Sequence, residues 1–154
     1  MKRWLPVVET LTAVALAAWI GGIVALGAFA ARIVFRDLPR ELAAPTMSTI
    51  FRSFDGVVVA CLVVVAVGTG VRLLALGLRG RADRIALVAG TALTILGATD
   101  VGYTHPTIER MFRDGRTLEP AFAALHKLSS RSANLEALCA VLVLGAFAWS
   151  RRSD

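Results

Sequence analysis

At 154 residues the chain has room for one domain, and its 56% hydrophobic content and mean hydropathy of +0.69 amount to more apolar surface than a core of that size can hide from water. An ordinary water-soluble domain is therefore excluded, and lipid is the expected solvent. The net charge of +6 comes from 15 arginines and two lysines that sit in every connection between apolar runs, without the basic, aromatic-rich face that nucleic-acid binding needs.

Met1-Lys2-Arg3 followed by an apolar run resembles a secretory start, and Ala28-Phe29-Ala30 offers a small-residue cleavage pattern. The run is longer than a signal h-region and is interrupted early by Glu9, so it reads as a retained helix. Residues 10–31 carry no charge over 22 positions, enough to span a bilayer. Ala18 and Gly22 lie at small-xxx-small spacing, with Gly21 beside them. This pattern predicts a close helix–helix approach, with Trp19 packed against a neighbour. The first helix, about 8–36, should end near Leu38-Pro39, because a residue before proline is pushed out of the α region.

The first connection is predicted to hold a short interfacial helix over 47–54, with Met47, Ile50, Phe51 and Phe54 on one face. A second spanning helix, about 56–78, follows Asp55-Gly56 and again shows small-xxx-small spacing at Ala66 and Gly70. Arg72 is expected to snorkel to the interface. The third helix, about 85–104, should end or kink at His105-Pro106. An amphipathic stretch at 107–116 then reads as another interfacial helix. Pro120 opens the fourth, about 120–150. Cys61 and Cys139 lie in apolar runs and read as packing residues.

The expected fold class is therefore all-α: one polytopic four-transmembrane-helix bundle over 1–154. An even helix number puts both termini on one side. Lys2, Arg3, Arg72, Arg79, Arg81, Arg84, Arg151 and Arg152 share that side in short basic segments, so the termini are expected in the cytoplasm, with the chain in a bacterial inner membrane.

Depth singles out a polar cluster. At 1.5 Å per residue, Glu136 lies ~20 Å and Asn134 ~22 Å from Trp149 along the fourth helix, which places both inside the membrane. His126, Ser129, Ser130, Asn134 and Glu136 fall within a ~160° arc. Asp100, His105 and Arg32, with Arg36 and Asp55, are expected at the same end of the bundle. An ionisable group at membrane depth is by default a site hypothesis. Structural cohesion, or binding of a small solute or ion, is the reading these residues support. A haem or copper site would use His105 and His126, with Met47 or Met111 near copper. A permeation or efflux component is the third alternative. No hydrolase, protease or nucleotide-binding motif is present, so no catalytic residue, enzyme activity or cofactor is expected. The partners expected are the lipid bilayer and a second copy of the chain, with any small-molecule ligand unidentified.

Trp19-Ile20-Gly21-Gly22, Val34-Phe35-Arg36-Asp37-Leu38-Pro39, and Phe122-x-x-Leu125-His126-x-x-Ser129 with Asn134 resemble a family of small integral membrane proteins similar to transmembrane protein 205 (domain of unknown function 4149). The resemblance covers nearly the whole chain and implies four membrane helices, with no reaction or ligand attached. Family members more usually carry proline where this chain has Arg32. A more distant likeness to copper-resistance proteins of the inner membrane accompanies the metal reading.

Overall fold

The computed structural model describes residues 4–78 and 80–150, Arg40 by its backbone alone. The basic residues Lys2, Arg3, Arg79, Arg151 and Arg152, and the signal-like start, lie outside the described residues. Among the described residues all regular structure is helical. Four helices are long and apolar enough to cross a membrane.

Helix α1 runs over Leu5–Asp37, with proline in its first turn, where a missing N–H leaves nothing unsatisfied. A π-helical segment, Ala25–Ala30, widens it midway. The helix stops because Leu38, ahead of Pro39, is extended (φ −109°, ψ 146°). Pro39 is then the N-cap of α2, Arg40–Leu76.

α2 is one helix of 37 residues, which corrects the expected interfacial helix over 47–54 and the break at Asp55-Gly56. Asp and Gly inside a helix cost up to about 1 kcal/mol each. Against that, Ala43, Met47, Ile50, Phe54, Val58, Cys61, Val65, Thr69 and Arg72 recur every three or four residues as one inward stripe, so packing holds the helix through the break. Gly77 ends it at φ +68°, a conformation that glycine adopts without a Cβ clash.

α3, Arg81–Arg113, likewise continues past its expected end at about 104. Residues Asp100–Thr104 form a π-helical turn in which the His105 N–H bonds the Asp100 carbonyl. In a regular helix the Pro106 ring would meet the Gly102 carbonyl. The wider turn directly ahead of it relieves that clash, and the helix resumes. The segment expected as a separate helix over 107–116 is thus the last part of α3, ended by Gly115 at φ +70°. α4 spans Pro120–Ser150.

α3 packs most extensively against α4, then α1 against α2 and α2 against α3, with a smaller α1–α4 contact. Consecutive helices therefore neighbour each other, as short connections require. Leu16, Trp19, Val65, Leu93 and Val143 form the centre of the core. Where helices approach most closely, glycine faces a side chain: a Cβ at Gly97 would lie 2.7 Å from the Trp19 ring, and one at Gly90 2.7 Å from Thr69 Oγ1. Gly68 meets Thr12, and Gly22 meets Phe54, in the same way.

Of the residues expected at helix contacts, Trp19 is buried and Gly22 is in contact, but Ala18, Gly21 and Ala66 are exposed. Gly70 is half-buried with open space around it. Small-xxx-small spacing carries no information about which face turns inward. The inward stripe of α1 is Glu9, Thr12, Leu16 and Trp19, and at 100° per residue Ala18 and Gly21 fall outside it.

Candidate functional site

Two buried polar clusters cross the bundle, one toward each end. In the first, all four helices contribute a side chain. Trp19 on α1 donates its indole N–H to Glu136 Oε2 on α4 at 3.2 Å. Ser132, one turn before Glu136, donates to Oε1 at 3.4 Å. The Asp100 carboxyl on α3 lies within hydrogen-bonding reach of Glu136. Both carboxyls are only 5% exposed. Next along α3, His105 Nδ1 is 2.8 Å from Asp55 Oδ1 on α2. Thr104, fully buried between Asp100 and His105 in sequence, has a hydroxyl with no hydrogen-bond partner.

The π-helical turn matters to this arrangement. It begins at Asp100 and ends at Thr104, and both of those residues are buried. Three acids, Asp55, Asp100 and Glu136, here meet a single histidine, so the cluster is acid-rich.

Two of the expected cluster residues on α4 are turned away by helix geometry. Asn134 is exposed, and so is Ser130. Asn134 is two residues from Glu136, hence ~160° around the helix, and Ser130 is ~120° away. An arc that wide includes both an inward and an outward face. Ser129, only ~20° from Glu136, is half-buried. His126 is exposed, with its ring centroid 6.2 Å from that of Phe122. Arg32 is exposed on α1, beyond the π-helical segment. Among the described residues His105 and His126 share no hydrogen-bond partner, and Met47 and Met111 are buried as core residues. Among the described residues, no three His, Cys, Asp or Glu side chains are grouped to hold a metal ion. Cys61 and Cys139 are free thiols, the first of them in the core.

The second cluster is built around Arg72, which is 4% exposed and does not snorkel as expected. Its guanidinium pairs with Glu9 of α1. It also reaches Asp83 Oδ1 of α3 at 2.8 Å and Ser150 Oγ of α4 at 2.9 Å, and it lies 4.9 Å from the Phe147 ring centroid. Asp83 Oδ2 accepts the Gly80 N–H at 3.1 Å and so anchors the start of α3 as well. The ion pair with the Glu9 carboxylate, itself 7% exposed, favours the enclosed position over snorkelling. The sequence signal for this cluster was three charges, Glu9, Arg72 and Asp83, near helix ends that an antiparallel bundle brings together.

A family model described as a domain of unknown function, DUF4149, matches residues 14–117. The chain belongs to that family. No curated protein and no solved structure matches it. The DUF4149 match takes in Trp19, Asp55, Asp100, His105 and Arg72, whereas the α4 residues Ser132, Glu136 and Ser150 lie beyond it.

Proposed function

We propose that this DUF4149 protein is a non-enzymatic, multi-pass protein of a bacterial inner membrane, with both termini in the cytoplasm, whose acidic cluster holds the four helices together. The observation that carries this reading is the sharing of the Glu136 carboxyl: Trp19 of α1 and Ser132 of α4 donate to it, and Asp100 of α3 adjoins it. In lipid, apolar side chains gain little by meeting one another, so interhelical hydrogen bonds carry weight in setting the assembly. The outward Ala18, Gly21 and Ala66 are available for contact with a second copy. Thermal unfolding in detergent tests the cohesive role. Glu136→Ala is expected to unfold well below the wild type and Glu136→Gln close to it. Equal unfolding of Glu136→Ala and wild type would overturn the reading.

A second reading, binding of a proton or small cation at the same cluster, is supported by its acid excess and by the unpartnered Thr104 hydroxyl. Vesicles reconstituted with the protein should then pass protons faster than empty ones, and Asp100→Asn should slow that rate. Identical flux in all three preparations would remove it. Haem or copper binding is less supported, since His126 is exposed and shares no partner with His105. An optical and metal spectrum of purified protein checks it.

A further inference from the structure

We propose that the outward face of α4, near its start, binds one anionic phospholipid, with the phosphate held by Lys127 and Arg131 and the Asn134 amide donating to an oxygen deeper in the same lipid.

Lys127, Ser130, Arg131 and Asn134 are all exposed, and at 100° per residue they fall within a ~100° arc of α4. Glu136 is the one acid that α4 carries, and it lies ~180° around the helix from Lys127. The outward stripe is thus basic where the inward face is acidic. Among the described residues Lys127 and Arg131 form no ion pair, and the Asn134 side chain makes no hydrogen bond. Ser130 is already satisfied by the His126 carbonyl at 3.0 Å.

Depth gives each group its part. Counted from Trp149 at 1.5 Å per residue, Asn134 lies ~22 Å, Arg131 ~27 Å and Lys127 ~33 Å along α4, against a hydrocarbon thickness of ~30 Å. Lys127 therefore stands among headgroups, and the long arm of Arg131 reaches them from just inside the edge. Asn134 has a one-carbon stem and cannot follow, and an outward amide without a partner in hydrocarbon is costly. Acyl tails offer it no acceptor, whereas the ester oxygens of a lipid held at its phosphate do.

Charge complementarity selects the occupant. A second copy, related by a two-fold axis along the membrane normal, would set Lys127 against Lys127 and Arg131 against Arg131. A zwitterionic headgroup brings a cation of its own beside the phosphate. Two cations with no acid on their face instead match a headgroup of net negative charge. Leu138 and Val141, 54% and 56% exposed, continue the same stripe and give an acyl chain an apolar bed.

Native mass spectrometry of the full chain, reconstituted in equal phosphatidylglycerol and phosphatidylcholine of the same acyl chains and then extracted into detergent, tests this. Wild type should retain one phosphatidylglycerol roughly 25-fold better than phosphatidylcholine, with about fivefold from each cation. Lys127→Gln combined with Arg131→Gln should abolish that preference. Arg81→Gln with Arg84→Gln removes the same charge from the other end of the bundle and should leave the preference intact. Asn134→Leu keeps the charge and should lower phosphatidylglycerol retention about fivefold, as loss of one hydrogen bond does. All of these positions are exposed, so the substitutions leave the core as it is. Equal retention of both lipids by wild type would overturn the proposal, and so would the same loss in the Arg81 and Arg84 variant, which marks a net-charge effect. A protein dimer that disappears with Asn134→Leu while no lipid is retained would overturn it in favour of a second copy.

Discussion

The Trp19 indole N–H bonds the Glu136 carboxyl across 117 residues of chain, joining the first helix to the last. The same ring lies against Gly97 of α3, where any Cβ would sit 2.7 Å away. One side chain therefore sets the spacing of three helices. Removing only its donor, in Trp19→Phe, leaves a buried carboxyl short of a partner, and about 1–3 kcal/mol of stability should be lost. Chemical unfolding in mixed micelles measures this. A Trp19→Phe protein as stable as wild type would mean that the bond contributes nothing.

Arg72 should behave asymmetrically. Arg72→Met removes the buried cation that both Glu9 and Asp83 pair with and is expected to cost about 3–5 kcal/mol. Combining it with Glu9→Gln and Asp83→Asn removes both of those acidic charges and should recover much of the loss. If the triple variant is less stable than Arg72→Met by the sum of the single effects, the three side chains do not act as one network.

The glycines separate into two groups. Gly97→Ala drives a methyl into the Trp19 ring and should destabilise by about 1–3 kcal/mol. Gly21→Ala, which meets nothing within 4 Å, should be neutral or raise stability by up to about 1 kcal/mol through helix propensity. The unfolding midpoints of the two variants provide the comparison.

One pH effect lies outside the four long apolar helices. Between α3 and α4, Arg116 Nε is 2.7 Å from Glu119 Oε1, and this hydrogen bond holds the Glu119 carboxyl below the usual glutamate range. A depressed folded value means that the pair's contribution is complete above the ordinary glutamate range. It is lost as pH falls through the lower folded value. Both side chains are solvent-exposed, so the effect on overall stability is slight. A site-resolved NMR titration of Glu119 should shift upward, toward the ordinary range, in Arg116→Gln. An unmoved titration would show that the arginine does not set it.

Much of the architecture was legible in the sequence. The four apolar runs identify the helices long and apolar enough to span a bilayer because length and hydropathy are local properties, and Leu38-Pro39 marks the first turn because proline restricts its neighbour. Local rules failed where packing overrode them. Asp55-Gly56 and His105-Pro106 read as breaks, yet α2 passes through the first on a continuous buried stripe and α3 passes the second on a π-helical turn. The convergence of Asp100, His105, Asp55 and Glu136 at one end followed from counting depth along each helix. Which way each residue points around its helix did not.

By itself, then, the sequence determined that four helices are long and apolar enough to cross a membrane and which polar residues share a depth along them, since both follow from a fixed rise per residue. Only the tertiary structure decided that Glu136 faces Trp19 while Asn134 faces outward, that Gly97 rather than Gly21 is the point of close approach, and that Arg72 is enclosed. Those outcomes depend on the rotation of each helix about its axis. In a chain whose outward faces are as apolar as its inward ones, that rotation is set by neighbouring helices and not by hydrophobic periodicity.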